Sequence, residues 1–202
     1  MKKFLALFLA AFMVLAAVGC GNQPAQSDND NKGTGIANQQ LSMGTASSGG
    51  AYYVIGTGFA EVLTSHIPEL NVTAEITDGS VANIRLVSDG DCDIGISNAD
   101  AVQYALDGTA PYNSVQDVQV LCALHSSIWH VVTTENSGIS SIADLKGKKV
   151  AVGPAGGGSV AALEVVLQAY GMTLDDITPT YVSYDDGITQ LTDGQVSAAL
   201  AM

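Results

Sequence analysis

The sequence predicts an α/β fold built on a parallel sheet. From residue 41 onward, short extended runs alternate with segments whose apolar residues recur at helical spacing, in the order β-α-β-α-β-α. The connections are short, and such an order gives a parallel sheet with right-handed crossovers by default. Ligands of such sheets bind beyond the carboxyl ends of the strands. The strand-to-helix turns are therefore the expected place of a functional site.

The first strand–helix unit is predicted at residues 41–63. An extended run at 41–45 leads into a Ser/Gly-rich turn at 46–50, after which a helix begins. The first amides of a helix have no partner within it and, with the helix dipole, favour an anion. Ser47 and Ser48 offer hydroxyl donors, and Gly49 and Gly50 let a ligand approach the backbone. The rings of Tyr52 and Tyr53 can either close over the ligand or simply pack in the helix.

Two further turns in the first half carry short polar residues. A strand at 71–77 precedes a helix at 81–88 that Ser80 can cap, and a strand at 92–97 precedes a helix that begins near residue 98. The three turns are expected to share one edge of the sheet and to form a binding rim. The alternative is that their polar residues only cap helices. The candidates from these two turns are Ser80, Asn83, Asn98 and Asp100.

The second half repeats this arrangement. A Gly-rich turn at 153–159 follows a strand and precedes a helix at 160–170. Its glycines are spaced as in a phosphate-binding loop, but Ser159 stands where that loop needs Lys, which argues against nucleotide binding. A later turn at 184–187 offers a carboxylate that could take the amino group of an amino-acid ligand. The candidates of this half are Gly156, Gly157, Ser159 and Asp185.

Other segments have simpler predictions. The apolar run at 118–124 is predicted to be a strand, residues 141–144 a short capped helix, and residues 196–202 a final strand. Cys92 and Cys122 either pair outside the cytoplasm or remain two buried free thiols on different strands, which we favour because pairing needs α-carbons within about 7 Å. No Cys/His spacing resembles a metal site, so neither a metal nor a cofactor is expected.

Residues 1–20 have the pattern of an export signal. Two lysines, an apolar run and small residues precede Cys20, and the ending LAAVGC resembles a lipobox, in which the cysteine takes lipid. A plain secreted or membrane-spanning segment is the alternative. Residues 21–40 are polar and are predicted to be a disordered tether.

The chain is acidic, with a formal net charge of −13 from 20 acidic and 7 basic residues. It has no nucleic-acid footprint, because such a footprint requires clustered basic residues. An anionic solute would therefore be held by local amides and hydroxyls against the overall field. The single arginine, Arg85, falls within the second predicted helix and is expected at the surface.

Four stretches of the chain resemble the solute receptors of the TAXI type, the binding proteins of tripartite ATP-independent periplasmic (TRAP) transporters. They are GTASSGGAYYVIG, TDGSVANIRLVSDGDCDIGISNADAVQYALDGTAPY, SGISSIADLKGKKVAVGPAGGGS and DGITQLTDGQVSAAL. The resemblance implies a periplasmic binding protein type II fold, with two α/β lobes joined by crossing strands and the solute in the cleft. Residues 41–132 would form lobe 1 and residues 133–202 a partial lobe 2. The rest of lobe 2 and the return crossover would be missing from this chain.

The resemblance also implies a function. The chain would be a lipid-anchored receptor at the outer face of the cell membrane or in the periplasm. It would capture a small carboxylate, either a dicarboxylate or an acidic amino acid such as glutamate. Closure through a hinge near residues 131–134 would trap the solute, which TRAP permease subunits then import with an ion gradient.

An enzyme is not expected, because the chain has no G-x-S-x-G turn and its three histidines follow no triad pattern. A sensing or surface-antigen module of the same fold is the alternative, and a secreted hydrolase is a weaker one.

Overall fold

The computed structural model describes residues 38–202. The predicted signal, Cys20 and the tether up to residue 37 lie outside the described residues. Between residues 38 and 202, no helix has the length and apolar character needed to cross a membrane.

The first sheet is parallel and has the predicted βαβαβα order. Its strands are β1 (Gln39–Gly44), β2 (Leu70–Glu75) and β3 (Ile94–Gly95). Its helices are α1 (Ala51–His66), α2 (Ser80–Asp89) and α3 (Ala99–Asp107). The strand order is β2-β1-β3, with β1 parallel to both neighbours. β1 begins at Gln39, so residues 39–40, which we predicted to be the end of the tether, belong to this strand.

Apolar side chains pack α1 against this sheet. Met43, Val72 and Ile96 are buried in one cluster with Tyr52 and Ala60 of α1. Burying apolar surface contributes roughly 25 cal/mol per Å² to folding. This packing holds the first turn of α1 at the carboxyl end of β1, which is where the sequence predicts the ligand site.

The predicted strand at 118–124 is not formed. Residues 113–129 contain no helix or strand, and Val120 and Leu121 are 67% and 77% exposed. An extended segment becomes a strand only when a neighbouring strand pairs its backbone groups, and none does so here among the described residues. Cys122 is consequently exposed and Cys92 buried, and the two do not pair. The prediction of two buried thiols is wrong for Cys122.

The second sheet is mixed. Its strands are β4 (His130–Thr133), β5 (Lys149–Ala151), β6 (Thr178–Thr180) and β7 (Ala198–Ala201). The order is β4-β7-β5-β6, and only the β4–β7 pair is antiparallel. β4 starts at His130, so this sheet includes residues 130–132, which we predicted for lobe 1. The residues of the predicted hinge lie largely within β4.

Two helices and one apolar cluster complete this half. The helices are α4 (Gly158–Ala169) and α5 (Tyr184–Thr192). Leu163 and Leu167 of α4 pack onto Val150 and Leu200 of the sheet, and all four are fully buried. We use lobe 1 for residues 38–129 and lobe 2 for residues 130–202, and both belong to one compact unit.

Asp144 caps the start of the short helix predicted at 141–144, which is the 3₁₀ segment Ile142–Leu145. Its Oδ2 accepts hydrogen bonds from the backbone amides of Ser140 and Ser141, at 3.0 and 2.8 Å, and from both hydroxyls. Bonds from the Ser140 amide and then the serine hydroxyls lower the pKa of Asp144 from 3.8 to about 2.

The lowered pKa of Asp144 predicts acid-sensitive stability. A carboxylate whose folded pKa is depressed stabilises the fold above its unfolded pKa, and that contribution is lost as pH falls through the folded value. Melting temperatures of wild type and Asp144→Asn should therefore differ above about pH 4 and converge as pH falls towards about 2. Thermal melts from pH 6 to pH 2 check this, and a constant difference across that range would contradict it.

Candidate functional site

The predicted turns of both lobes meet around one small cavity. Gly50, Tyr52 and Ser80 line it from lobe 1, and Gly157, Tyr184 and Met202 line it from lobe 2. Its volume is about 20 Å³, which is room for roughly one water molecule. The structure thus brings the Ser/Gly turn, the Ser80 turn and the Gly-rich turn together, but leaves no space for a solute between them.

The turn before α1 contains a buried hydroxyl without a partner. Gly50 is the N-cap of α1, and its amide donates to the Ser47 carbonyl at 2.8 Å. Ser47 is only 9% exposed, and its Oγ has no hydrogen-bond partner. Ser48 and Gly49 are exposed in the same turn. A buried hydroxyl without a partner carries a desolvation cost of about 1–3 kcal/mol, which a ligand could offset.

Tyr52 is held at the cavity by a short polar chain. Its hydroxyl donates to Oδ1 of Asn98, which also accepts from the Ser127 hydroxyl at 3.3 Å. The His125 ring lies edge-on to Tyr52, with 5.7 Å between the ring centroids. Tyr53 does not line the cavity, and its carbonyl accepts from Thr57 within α1. Tyr52 and Asn98 therefore stay candidates, and Tyr53 lies away from the cavity.

Asn83 has a structural position that differs from the prediction. Its side chain is fully buried, and Nδ2 donates to the carbonyls of Gly44, Thr45 and Ile96 at 3.1, 2.7 and 2.7 Å. Oδ1 accepts from the Thr77 hydroxyl at 2.6 Å. The amide group is thus fully engaged by the ends of the strands, so it shapes the rim without reaching a ligand.

Ser80 lines the cavity but lacks its predicted capping role, and Asp100 lies away from the cavity. Ser80 does not cap α2, because Gly79 is the N-cap and Ser80 is the first helical residue. The Ser80 hydroxyl accepts from the Asn98 amide at 3.1 Å and thereby ties two turns together. Asp100 is exposed and accepts from the Ala101 amide at 2.8 Å, so it stays within its own turn. The rim is formed, but some of its polar side chains bond to other groups of the protein.

The Gly-rich turn of lobe 2 holds Tyr184 against the cavity. Ser159 is fully buried and donates to the Val152 carbonyl at 2.8 Å. Burial raises the pKa of the Tyr184 phenol, a hydrogen bond with Ser159 partly opposes this, and nearby Tyr52 adds a smaller rise. Tyr184 thus stays a neutral hydroxyl at the boundary between the lobes.

Backbone of lobe 2 reaches the start of α2. The amides of Val81 and Ala82 both donate to the Gly156 carbonyl, at 3.0 and 3.1 Å. Gly157 lies beside Gly79: a β-carbon added to Gly79 would lie 3.6 Å from the Gly157 Cα. Gly79 itself has φ 100°, a conformation that favours glycine. These glycines allow the two lobes to approach at backbone distance.

The cavity is not lined by any cation of the described residues. Arg85 is exposed on α2, donates to the Pro111 carbonyl at 2.7 Å and lies 5.5 Å from the centre of the Tyr112 ring. Burial raises the pKa of Tyr112 to about 12. Two carboxylates lie at the site instead: Asp78 lines the cavity, and Asp185 lies against Gly49, where any side chain would overlap it.

Sequence reasoning did not name seven of the residues that line the cavity, and the three of these with side chains larger than a methyl group are Asp78, Tyr184 and Met202. The first two lie in turns from which other residues were chosen, so adjacency to those residues was a usable signal. Nothing local marks Met202, because its position depends on the pairing of β7 with β4 and β5.

Comparison with known proteins places the fold. A model of the NMT1-like family matches residues 43–202. The alkanesulfonate-binding protein SsuA from Xanthomonas axonopodis pv. citri, bound to MOPS, is similar with a TM-score of 0.56 and 19% identity, over 83% of this chain and 55% of that chain.

A binding protein component of an ABC phosphonate transporter from Pseudomonas aeruginosa has a TM-score of 0.56 and 14% identity, over 81% of this chain and 57% of that one. The cysteine-binding protein from Campylobacter jejuni has a TM-score of 0.53 and 14% identity, over 80% of this chain and 62% of that one. This chain thus spans little more than half the length of these structures. The likeness confirms the α/β, periplasmic binding protein type II fold.

Proposed function

The chain belongs to the NMT1-like family, and from this and its binding-protein fold we propose that it is an extracytoplasmic solute receptor. The observation that carries the proposal is the meeting of both lobes at the first turns of α1 and α2. Such helix ends offer amide donors to a bound anion. Solute captured there would be delivered to membrane subunits for uptake, and no catalytic turnover is involved.

The proposed solute is a small carboxylate, either a dicarboxylate or an acidic amino acid such as glutamate. Helix ends and the unpartnered Ser47 hydroxyl supply donors for a carboxylate without a cationic side chain. Asp185 and Asp78 lie nearby and could pair with the ammonium group of an amino acid. The proposed contacts are the backbone of residues 47–50, the Ser47 hydroxyl, Tyr52, Asn98, the Gly-rich turn and Asp185.

The proposed membrane partner is a TRAP permease, on the basis of the sequence resemblance described above. An ABC permease is the second candidate, because the similar Pseudomonas aeruginosa protein is a component of an ABC transporter. Uptake by reconstituted receptor and permease distinguishes them: a TRAP system runs on an ion gradient, and an ABC system requires ATP. The proposed anchor at Cys20 would keep the receptor at the membrane surface.

Ser47→Ala tests the proposed site. Wild type should melt cooperatively, and one acid from a panel of dicarboxylates and amino acids should stabilise it by about 2.7 kcal/mol at a hundred times its Kd. Because the Ser47 hydroxyl is buried without a partner, Ser47→Ala removes its desolvation cost and should raise the melting temperature measured without added solute. The variant should bind that acid about tenfold more weakly, since one hydrogen bond to a charged group is worth about 1.5 kcal/mol.

Ser48→Ala is the matched control, because Ser48 is exposed in the same turn. Its effect on affinity should be less than that of Ser47→Ala. A cooperative melt that no solute shifts would contradict the receptor function and favour the sensing or enzyme alternatives. Equal affinity of Ser47→Ala and wild type would remove Ser47 from the site while leaving the receptor function intact.

A further inference from the structure

Asn98 has a side chain that its own helix does not use. The residue is the N-cap of α3, a position at which an asparagine side chain ordinarily accepts from the backbone of the first turn. Here the side chain makes no such bond. The main chain fixes the residue instead, because its amide donates to the Ser80 hydroxyl at 3.1 Å. The Asn98 carboxamide therefore lacks the capping role that is the alternative to a binding role in this turn.

Two hydroxyls hold the oxygen of this carboxamide. Oδ1 of Asn98 accepts from the Tyr52 hydroxyl and, at 3.3 Å, from the Ser127 hydroxyl. The two hydroxyl oxygens themselves lie 3.5 Å apart. Ser127 belongs to the segment at 113–129 that contains no helix or strand, so its position at the rim depends on this contact. The oxygen of the carboxamide is thus engaged within lobe 1.

The nitrogen of the carboxamide lies beside two residues that line the cavity, Gly158 and Met202. Nδ2 is 3.6 Å from Sδ of Met202, and a β-carbon added to Gly158 would overlap it. A thioether sulfur is only a weak acceptor. Turning the amide over would set Oδ1 against a sulfur that carries no proton, so the hydrogen bonds favour the orientation with NH2 towards the cavity.

A carboxylate oxygen is a much better acceptor for this NH2 group than a thioether. No cation of the described residues lines the cavity, so an acid bound there depends on neutral donors. Hydrogen bonds to an ionised group are roughly twice as strong as those between neutral groups. Asn98 also lies at the N-terminus of α3, where the helix dipole favours negative charge. A solute carboxylate in place of the Met202 sulfur would therefore make the stronger bond to Nδ2.

We propose that the Asn98 NH2 group is a neutral donor to the solute carboxylate and that Tyr52 and Ser127 are positioning residues that hold it in this orientation. The Tyr52 ring keeps its place in the cavity wall, while its hydroxyl acts on the solute through Asn98. The inference rests on the proposed function. It adds the donor atom, Nδ2, and a residue outside the predicted turns, Ser127.

The orientation of the amide can be measured without any solute. Asn98→Ala and Met202→Leu assign the side-chain amide and methyl resonances in NMR spectra of the protein. Wild type should then show a nuclear Overhauser effect between the Nδ2 protons and the Met202 methyl group, because nitrogen and sulfur are 3.6 Å apart. The absence of this effect in a folded protein would overturn the proposed orientation.

Two substitutions of Asn98 separate a donor from a residue that only fills space. The probes are succinate and L-glutamate, measured by calorimetric titration. Asn98→Ala should weaken binding about tenfold, because a hydrogen bond to a charged group is lost. Asn98→Asp keeps the shape and the oxygen that accepts from Tyr52, yet it should weaken binding more than Asn98→Ala, because a like charge then faces the acid. The opposite order, or affinity unchanged in Asn98→Ala, would overturn the proposal.

A double-mutant cycle tests the two positioning residues. Tyr52→Phe and Ser127→Ala should each weaken binding about threefold in the wild-type background and have no further effect in Asn98→Ala. Ser127→Thr retains a hydroxyl and should restore most of the affinity. Ser126→Ala is the matched control, because Ser126 is the exposed neighbour and should leave affinity unchanged. Equal losses with and without Asn98 would show that these residues do not act through the amide.

The outcomes distinguish this inference from the proposed function on which it rests. Wild type that binds neither acid would contradict the proposed solute class. Wild type that binds one of them, with an affinity that neither Asn98 variant changes, would contradict only the role of Asn98. Far-UV circular dichroism of each variant confirms that it is folded.

Discussion

Replacing Asn83 by alanine should lower the free energy of unfolding by about 3–5 kcal/mol. The side chain is 0% exposed and holds together the ends of the strands of the first sheet. Its loss leaves the carbonyls of Gly44, Thr45 and Ile96 and the hydroxyl of Thr77 without this partner. Each buried polar group left unsatisfied costs about 1–3 kcal/mol, and water entering the space would recover part of it.

Chemical unfolding of Asn83→Ala measures this effect, with Thr77→Val as the control. Thr77→Val removes two hydrogen bonds of the Thr77 hydroxyl, one donated to Asn83 and one accepted from the Gly79 amide. The free energy of unfolding should fall by about 1 kcal/mol. A loss below 1 kcal/mol for Asn83→Ala would show that the rim does not depend on this amide. The measurement would then reopen the possibility that Asn83 serves a ligand.

Leu163→Ala should destabilise lobe 2 by about 3 kcal/mol. Leu163 is fully buried on α4 in the cluster that also contains Leu145, Leu167 and Leu200. Removing three carbons from a packed interior costs their transfer free energy plus the cost of the cavity that they leave. The same helix begins at the Gly-rich turn, so this cluster also positions the loop that meets α2.

Val165→Ala is the matched control for Leu163→Ala, since Val165 lies on the same helix and is 53% exposed. Val165→Ala should lower the free energy of unfolding by no more than about 0.5–1 kcal/mol, because little apolar surface is removed from the interior. Denaturant unfolding of both variants, followed by circular dichroism, gives the comparison. Equal losses for the two would mean that the lobe 2 core contributes little to the stability of this chain.

Local signals were sufficient for most of the elements and for their order. Glycines stop α2 and α3, where Gly90 and Gly108 adopt φ values of 79° and 65°, because left-handed backbone is open mainly to glycine. The buried pair Leu163 and Leu167 on α4 follows from helical spacing alone. Residues close in sequence decide such features, so no knowledge of the rest of the fold is needed.

Local signals failed where a distant partner decides the outcome. The run at 118–124 has a strand-like composition, yet it lacks a neighbouring strand in the described part of the chain. Asn83 resembles a helix-start ligand residue in sequence, yet three carbonyls from two distant strand ends surround it. Hydrogen-bond partners this far apart in sequence cannot be deduced from spacing.

The sequence by itself determined the α/β class, the strand-to-helix turns and their clustering at one edge, because periodicity and turn chemistry are local. Only the tertiary structure decided which polar groups remain available. It placed the Asn83 amide and the Ser159 hydroxyl on internal carbonyls, left the Ser47 hydroxyl without a partner, and set Asp185 over Gly49. The physical reason is that most buried polar groups pair within the protein, and the packing of the fold decides which groups meet a partner.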